Sequence, residues 1–350
     1  MHLSEVIENL VEEKGLPRET LSDIVCQGIL AAYQAGHPGL NLRVSFEKKT
    51  GELLVEVEKT VVAAVDNEET QVSVRKAKSL GQNLVAGDTV WTPFEGKVGR
   101  IEILRAKQLI SQNIRNVEAS VIYSEFKDRQ GSVLQGVVHK VERGGALIKV
   151  LDHLGFLPRS LSIPDEKLNP GYSVRVLLKE VLEQPRNENQ LIFDRSSEAF
   201  VKALFELEIP EIFERLVEIK EIVRIPGYKT KVVVVSHDLN IDPVGACVGV
   251  GGVRIKPILK ELGNEKIDVI PWTDDLELFV KNSLKPAEIN RIGLSDDEKT
   301  AKIWLDEDQR SLAIGKMGQN IALASRLTGV HLEIVQDSKE NLEQKLSEEF

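Results

Sequence analysis

The amino-acid sequence predicts an α+β multidomain protein: a helical and β N-terminal domain, then a five-stranded β-barrel, then two copies of a smaller unit of helices and strands. Three observations support this prediction. Apolar residues recur at helical spacing in the first third of the chain. Short segments of period-two alternation follow in the middle. A glycine-rich loop between two apolar helices then occurs twice, which indicates an internal repeat.

The composition limits the classes of protein to consider. The 350 residues suffice for about two to four domains at roughly 100–200 residues each. A net charge of −10 excludes a histone-like protein held on nucleic acid by bulk positive charge, although a local basic groove remains open. Cys26 and Cys247 are too few for a disulfide framework or a cysteine zinc site. Because no signal-like leader or bilayer-spanning apolar run occurs, we expect a cytoplasmic protein without a membrane span.

Residues 1–130 are predicted to form the N-terminal domain. An apolar stripe over residues 3–11 indicates one helix, and Pro17 suits the first turn of a second. Alternating residues around a turn at 48–51 predict a hairpin. A long linker helix follows Gly99, with mostly buried apolar positions at Ile103, Ile110, Ile114, Val117 and Val121. An acidic outer face either pairs with a basic partner or is simply solvated; it consists of Glu5, Glu8, Glu12 and Glu13.

Residues 131–198 are predicted to form the barrel. No long helix interrupts this segment, and its short strands are expected at 133–141, 146–150, 154–158, 174–178 and 191–193. This pattern favours a small closed barrel of the oligonucleotide-binding (OB) type. In the first strand, the parity of the sequence places Val133, Val137 and Val141 on one face.

Four barrel residues are candidates for RNA contact. Phe156 and His139 could stack on bases, at about 1–3 kcal/mol per base. Lys140 and Arg159 flank the same region and could contact phosphates. The alternatives are that Phe156 closes the barrel core and that the two cations are ordinary solvated charges.

Residues 199–276 and 277–350 are predicted to form the repeated units. Their loops are Gly249-Val250-Gly251-Gly252 and Gly315-Lys316-Met317-Gly318, each followed by an apolar helix and a strand. In such a G-x-x-G link, a nucleic-acid backbone can approach closely, and amides at the start of the second helix point at a phosphate. This is the design of the KH module, which clamps about four nucleotides of single-stranded RNA. For either loop alone, glycines serving only as helix caps remain an alternative.

The sequence contains no constellation of catalytic or metal-binding residues. The six histidines are scattered without ligand spacing, and the acidic clusters at 274–275 and 296–298 lie in turn-like segments. No nucleophile elbow, P-loop or dinucleotide fingerprint occurs. We therefore expect no catalytic residue, no metal, no cofactor and no enzymatic activity.

Several short strings in the linker helix and the repeated units are specific. They are AKQ (106–108), IDPVGACVG (241–249), GNEKID (263–268), LAIGK (312–316), GQN (318–320) and RLTG (326–329). Together they resemble the NusA family of bacterial transcription factors, over nearly the whole chain. The resemblance implies an N-terminal domain that binds RNA polymerase near its RNA exit channel. It also implies an S-one-type OB barrel and two tandem type II KH modules that contact nascent RNA.

The implied function is modulation of pausing, termination and antitermination, by a cytoplasmic monomer that also meets other elongation factors. Relatives often carry Arg where this chain has Gly251, so Arg254 is the candidate replacement cation, and the second loop is the better phosphate site. The KH candidates are Gly249, Val250, Gly251, Gly252, Arg254, Gly315, Lys316, Met317, Gly318, Gln319 and Asn320. An acidic helix is expected at 337–350, without the further acidic repeats through which some relatives are autoinhibited.

Two alternative functions remain. An accessory subunit or enzyme of RNA processing is one, because exoribonucleases of the polynucleotide phosphorylase type combine the same modules. In those enzymes the KH module precedes the barrel and a catalytic region lies ahead, whereas residues 1–130 carry no phosphate- or metal-binding constellation. A ribosomal KH protein is the other, and the acidic balance of this chain argues against it.

Overall fold

The computed structural model describes residues 3–46, 53–79, 84–186, 189–295 and 297–335. The chain divides into two compact units, Met1–Ser124 and Glu125–Phe350. The turn expected at 48–51 and the helix expected at 337–350 lie outside the described residues. Within the described ranges, no helix is both long enough and apolar enough to cross a membrane.

The first unit combines helices with a four-stranded sheet. The sheet is built on β2, which pairs with β1 and β4 in antiparallel fashion and with β3 in parallel. The elements are α1 Leu3–Lys14, α2 Arg18–Gly36, β1 Leu42–Phe46, β2 Leu53–Val62, β3 Gln71–Ser73, α3 Val74–Ser79, β4 Thr89–Pro93 and α4 Arg100–Phe126, whose C-terminal end lies in the second unit.

The helices of the first unit share one core. It includes Ile7 of α1, Leu21 and Ile24 of α2, and Ile114 of α4. The expected burial along α4 is wrong at the two ends of the stripe, because Ile103 is 57% exposed and Val121 is 47% exposed. Of the five stripe residues, Ile110, Ile114 and Val117 pack in the core of the first unit.

The second unit begins with a closed five-stranded barrel, as predicted. The strand order is β5-β6-β7-β9-β8, and only the β7–β9 pair is parallel. The strands are β5 Val133–Glu142, β6 Gly145–Val150, β7 His153–Pro158, β8 Ser173–Arg186 and β9 Asn189–Asp194. In β5 the buried positions are Gly136 and Val138, whereas Val137 and Val141 are exposed. A register shift between Val138 and Lys140 interrupts the parity that the sequence suggested.

Two units of the same architecture follow the barrel. Each runs α-β-β-α-α-β, with one additional short helix before the first strand of the first unit, and in each the first two strands are antiparallel and the last strand is parallel to the middle one. This is the order expected of a type II KH module. The first contains α5 Glu198–Glu208, α6 Pro210–Phe213, β10 Val217–Ile225, β11 Lys229–Ser236, α7 Pro243–Val248, α8 Lys256–Leu262 and β12 Lys266–Pro271. The second contains α9 Leu276–Ser283, β13 Arg291–Leu294, β14 Thr300–Trp304, α10 Glu307–Ile314, α11 Gln319–Thr328 and β15 His331–Val335.

The barrel is joined to the first KH module by a buried arginine. Arg195 is 3% exposed, and its guanidinium contacts Glu166 Oε2 at 2.9 Å and Glu261 Oε1 at 2.6 Å. Glu261 lies on α8, directly before the end of that helix. Because a buried charge that loses its partners is strongly unfavourable, these contacts fix the barrel against α8.

The two KH modules share a buried apolar interface. Val223, Val233 and Ile270 lie on one face of the first module's sheet, and they pack against α9 and α11 of the second module through Phe279, Leu323 and Leu327. The barrel and both KH modules therefore form one continuous packed body.

Candidate nucleic-acid interface

The second G-x-x-G loop links α10 to α11 through backbone conformations that favour glycine. Gly315 has φ 71° and Gly318 has φ 75°. A Cβ on Gly315 would stand 2.7 Å from the Cβ of Asn320, so no side chain fits there. A Cβ on Gly318 would meet no atom within 4 Å, so only the backbone conformation restricts this position. Met317 adopts φ 54°, and its side chain is 88% exposed.

The exposed part of this loop has the properties of a phosphate seat. Gly318 is the N-cap of α11, whose first-turn amides lack partners within the helix. Lys316 and Met317 are exposed, and Gln319 is half-buried. The helix dipole and the amides together favour an anion at this point, and Lys316 adds a full positive charge.

Asn320 is a structural clamp in this arrangement. Asn320 is 2% exposed, and its side-chain amide nitrogen donates to the carbonyls of Leu312 and Ala313, both at 3.1 Å. Its Oδ1 accepts from Lys229 Nζ of the first module at 3.1 Å. The side chain predicted to contact RNA therefore holds the two ends of the loop together and does not face solvent.

The first G-x-x-G loop has the same shape. Gly249, Gly251 and Gly252 have φ values of 74°, 60° and 75°, and Val250 is 96% exposed between them. The preceding helix α7 is capped by Asp242, which accepts from the Val244 amide at 3.1 Å. The loop is therefore well formed, although its own residues carry no charge.

The structure gives Arg254 a different position from the one the sequence suggested. Its Nη1 lies 2.7 Å from Glu211 Oε1 and donates to the Ala246 carbonyl at 2.8 Å. Burial pushes the Glu211 pKa upward, but the hydrogen bond from Arg254, a backbone hydrogen bond and the charge of Arg254 together outweigh it and leave the pKa below its usual value. The guanidinium is thus engaged inside the first module, where it braces α7 against α6.

Lys256 places an exposed positive charge beside the first loop, and it was not among the residues predicted from the sequence. Its Cε lies 3.9 Å from the point where a Cβ on Gly252 would stand, and the side chain is exposed. The feature of the sequence that could have indicated Lys256 is its position in the first turn of the helix after the loop, two residues beyond Arg254.

One cleft extends from the second loop to α8, the helix that follows the first loop. It has a volume of 1310 Å³ and lies where the barrel and both KH modules meet. The lysines along it are Lys167 of the barrel, Lys256 and Lys260 of α8, and Lys316 of the second loop. Met317 and Gln319 also line the cleft, so the exposed part of the second loop opens directly onto the surface beside the first.

The barrel candidates form a separate row on the outer face. Lys140, Leu147, Phe156 and Ile192 are register partners across β5, β6, β7 and β9. Phe156 is half-buried, while its neighbour Leu157 points inward and is fully buried, so the Phe156 ring does not fill the barrel core.

The charges beside this row are exposed. Lys140 pairs with Glu142 at 3.0 Å, and Arg159 follows the end of β7. His139 is exposed on the adjacent position of β5. Phe156, Lys140 and Arg159 do not line the cleft between the modules, so the structure places them on a second surface.

Two lysines at the junction of the KH modules are nearly buried. Lys231 lies 2.8 Å and Lys229 2.7 Å from the same Asp268 oxygen. Burial lowers the pKa of Lys231 to about 8, and the attraction of Asp268 limits that shift.

No group of three or more His, Cys, Asp or Glu side chains arranged for a metal occurs among the residues that the structure describes.

The fold and the loops define a class of protein, a multimodule KH protein in which a closed five-stranded barrel precedes two tandem KH modules. Comparison with known families agrees. Residues 195–272 match the family model for the NusA-like first KH domain, residues 276–342 match the NusA-like second KH domain, and residues 2–120 match the NusA N-terminal domain.

Individual relatives extend over nearly the whole chain. The transcription termination/antitermination protein NusA of Thermus thermophilus is 36% identical over 345 residues, covering 94% of this chain and 89% of the relative. The protein of the same name from Bacillus subtilis is 33% identical and covers 95% of this chain and 90% of its own length. The chain belongs to the NusA family. A solution structure of the N-terminal domain of the B. subtilis protein covers 33% of this chain and 95% of its own at 28% identity, with a TM-score of 0.26, too low to support an argument about the fold.

Proposed function

We propose that the chain is a transcription factor that docks on RNA polymerase through its N-terminal domain and contacts single-stranded nascent RNA through its barrel and KH modules. The observation that carries the proposal is that the second loop and the helix after the first loop both line one cleft. Membership of a family whose relatives are named transcription termination/antitermination proteins supports it. The domain boundaries proposed are 1–130, 131–198, 199–276 and 277–350.

The proposed RNA contacts differ in kind along the chain. In the second KH module, the backbone of Gly315–Gly318 and the side chains of Lys316, Met317 and Gln319 bind a phosphate and the neighbouring base. In the first, Val250, Gly251 and Gly252 supply backbone and Lys256 supplies charge. On the barrel, Phe156 stacks on a base while Lys140 and Arg159 contact phosphates.

The proposed mechanism is tethering. A chain that holds both polymerase and transcript raises the effective concentration of each for the other, so weak contacts in separate modules add up. On α1, Glu8 and Glu12 are exposed and provide acidic surface for a basic element of the polymerase. Pausing, hairpin formation in the exiting RNA and hence termination then respond to the bound factor, which acts in the cytoplasm as a monomer.

A transcription assay tests this proposal. Full-length protein is added to bacterial elongation complexes on a template that encodes a pause hairpin and a terminator. We expect it to co-elute with the complexes in size-exclusion chromatography, to lengthen the hairpin pause and to change the fraction of terminated transcripts. Unchanged pausing and termination, together with no co-elution, would contradict it. Turnover of free RNA by the purified protein in Mg²⁺ and phosphate would instead favour an RNA-processing enzyme.

The affinity for single-stranded RNA should fall with salt. For single strands, log K changes with log salt by about −0.7 per phosphate neutralised, so the four cleft lysines contribute roughly −3 to the slope, and phosphate contacts of Lys140 and Arg159 add to it. Lys316→Ala should make the slope shallower by about 0.7. A slope near zero, measured by fluorescence anisotropy with an unstructured oligoribonucleotide, would exclude ionic contact through the cleft.

A further inference from the structure

The first KH module reaches into the phosphate seat of the second. The turn between β10 and β11 carries Tyr228, whose side chain lies in the cleft beside the second loop. The backbone N–H of Lys316 donates to the Tyr228 hydroxyl oxygen at 3.3 Å. Lys316 is the first residue after Gly315, so this amide belongs to the G-x-x-G loop itself.

Buried contacts on both sides hold Tyr228 in this position. Before it, the Gly227 amide donates to Glu265 Oε2 at 2.9 Å. After it, Lys229 is 8% exposed, and its ammonium bonds the Asn320 clamp of the second loop at 3.1 Å. With its two neighbours anchored, the backbone at Tyr228 is held beside the second loop, and moving this turn away would break buried polar contacts, which is unfavourable.

The chemistry of a phenol suits this position. A tyrosine hydroxyl can accept one hydrogen bond and donate another. Here it accepts from the Lys316 amide, and no acceptor for its own hydrogen is found among the described residues. An arriving phosphate oxygen is a stronger acceptor than the phenol, because it is charged. It would take the amide hydrogen, and the phenol, released as an acceptor, could donate its hydrogen to the same phosphate.

We propose that Tyr228 is an RNA-binding residue that the first KH module contributes to the phosphate seat of the second. The ligand is a phosphodiester of single-stranded RNA, so the inference rests on the proposed function and adds a residue to it. In the free protein the hydroxyl holds the Lys316 amide. In the complex it becomes a hydrogen-bond donor beside Lys316. The second loop is then completed only when the two modules are joined.

The substitution Tyr228→Phe tests the proposal in the full-length chain. It removes the hydroxyl and keeps the ring, and we expect an affinity for an unstructured oligoribonucleotide that is about tenfold weaker, the usual effect of losing a hydrogen bond to a charged group. Tyr123→Phe is the matched control, because Tyr123 lies on α4 and does not line the cleft, and it should leave the affinity unchanged. Thermal unfolding of the same samples measures any loss of folding separately.

A second measurement compares positions along the RNA within each protein sample, so that a general loss of folded protein affects all positions equally. Single methylphosphonate linkages placed along the RNA remove one phosphate charge at a time. For the wild-type protein one position should weaken binding most, and Tyr228→Phe should reduce the penalty at that same position.

Three outcomes are distinguishable. Unchanged or tighter RNA binding by Tyr228→Phe, while Gly318→Asp still weakens binding, would overturn the role of Tyr228 and leave the proposed function standing. An equal methylphosphonate profile in wild type and variant would overturn it as well. If neither the wild-type protein nor any variant binds RNA, the proposed function itself fails.

Discussion

Gly318→Asp is expected to weaken the binding of single-stranded RNA by about thirtyfold, roughly 2 kcal/mol, at low ionic strength. The new carboxylate stands at the N-cap of α11, at the position proposed for the phosphate. Two negative charges a few ångströms apart at a protein surface repel each other by about this amount. The same charge also screens Lys316, two residues earlier in the loop.

The variant should remain folded. A Cβ at Gly318 meets no atom within 4 Å, and the φ of 75° is one that Asp and Asn tolerate better than other side chains. A left-handed residue costs about 1–2 kcal/mol, which a packed module can absorb. Circular dichroism and thermal unfolding should therefore show a native fold with a modestly lower midpoint.

Two controls separate charge from conformation. Gly318→Asn has nearly the same shape and backbone preference but no charge, so it should retain most of the RNA affinity. Gly329→Asp places the same new carboxylate at another left-handed glycine, with φ 70° and no atom within 4 Å of the new Cβ, after the C-terminal end of α11. It should affect stability alone. If Gly318→Asp binds RNA as tightly as Gly318→Asn, the second loop is not the phosphate site.

Much of this architecture follows from local patterns in the sequence. The barrel strands are predicted because period-two alternation and glycine turns depend on neighbouring residues only, and the G-x-x-G loops because their glycines are required by the backbone conformation there. Helix α9 and strands β13 and β14 were not predicted. These elements are short, and their buried residues are determined by contacts with the other module or with neighbouring strands. Phe279 of α9, for example, packs against the first module.

In the candidate site, too, some features follow from the local sequence and others from tertiary contacts. Nothing in the local sequence distinguishes Arg254 from Lys256, since both lie near the start of α8. The two side chains differ in their environment because Arg254 donates a hydrogen bond to Glu211, which is distant in the sequence. The role of Asn320 likewise depends on Lys229 in the other module, and that of Tyr228 on the contact between modules. The shape of each loop follows from the residues of the loop itself. Which cation is exposed beside the first loop, and which residue of the first module contacts the second loop, depend on tertiary contacts.

Glu265→Gln is expected to destabilise the second unit by about 3–5 kcal/mol, the usual result of breaking a buried ion pair on one side. The Glu265 carboxylate is 0% exposed, and its oxygens accept from Arg224 Nε at 2.8 Å and Nη2 at 2.9 Å. They also accept from the Thr230 hydroxyl and from the Gly227 amide at 2.9 Å. An amide in this place has one acceptor oxygen, and its NH₂ group would face donors, so Arg224 is left buried with an incomplete set of partners.

The result is measured by chemical denaturation, with Glu218→Gln as the matched control. Glu218 lies in the same module on β10 and pairs at the surface with Lys220 and His237, each at 3.1 Å. Because exposed pairs contribute little, the control should unfold at the wild-type denaturant concentration within error. Equal midpoints for Glu265→Gln and wild type would show that the Arg224 pair is not needed for stability.

Replacing both partners, as in Arg224→Met with Glu265→Met, should recover only part of the loss. Buried pairs can often be exchanged for apolar residues without destabilisation. Here, however, Arg224 Nη1 also donates to the carbonyls of Arg195 at 2.9 Å and Ser197 at 2.6 Å, and the double variant leaves both without that donor. The Gly227 amide loses its acceptor too, which frees the turn that carries Tyr228. The double variant should therefore bind RNA more weakly than its recovered stability alone would predict, because the turn at the second loop is no longer held. RNA affinity at the wild-type value in that variant would separate the ion pair from the loop and contradict this coupling.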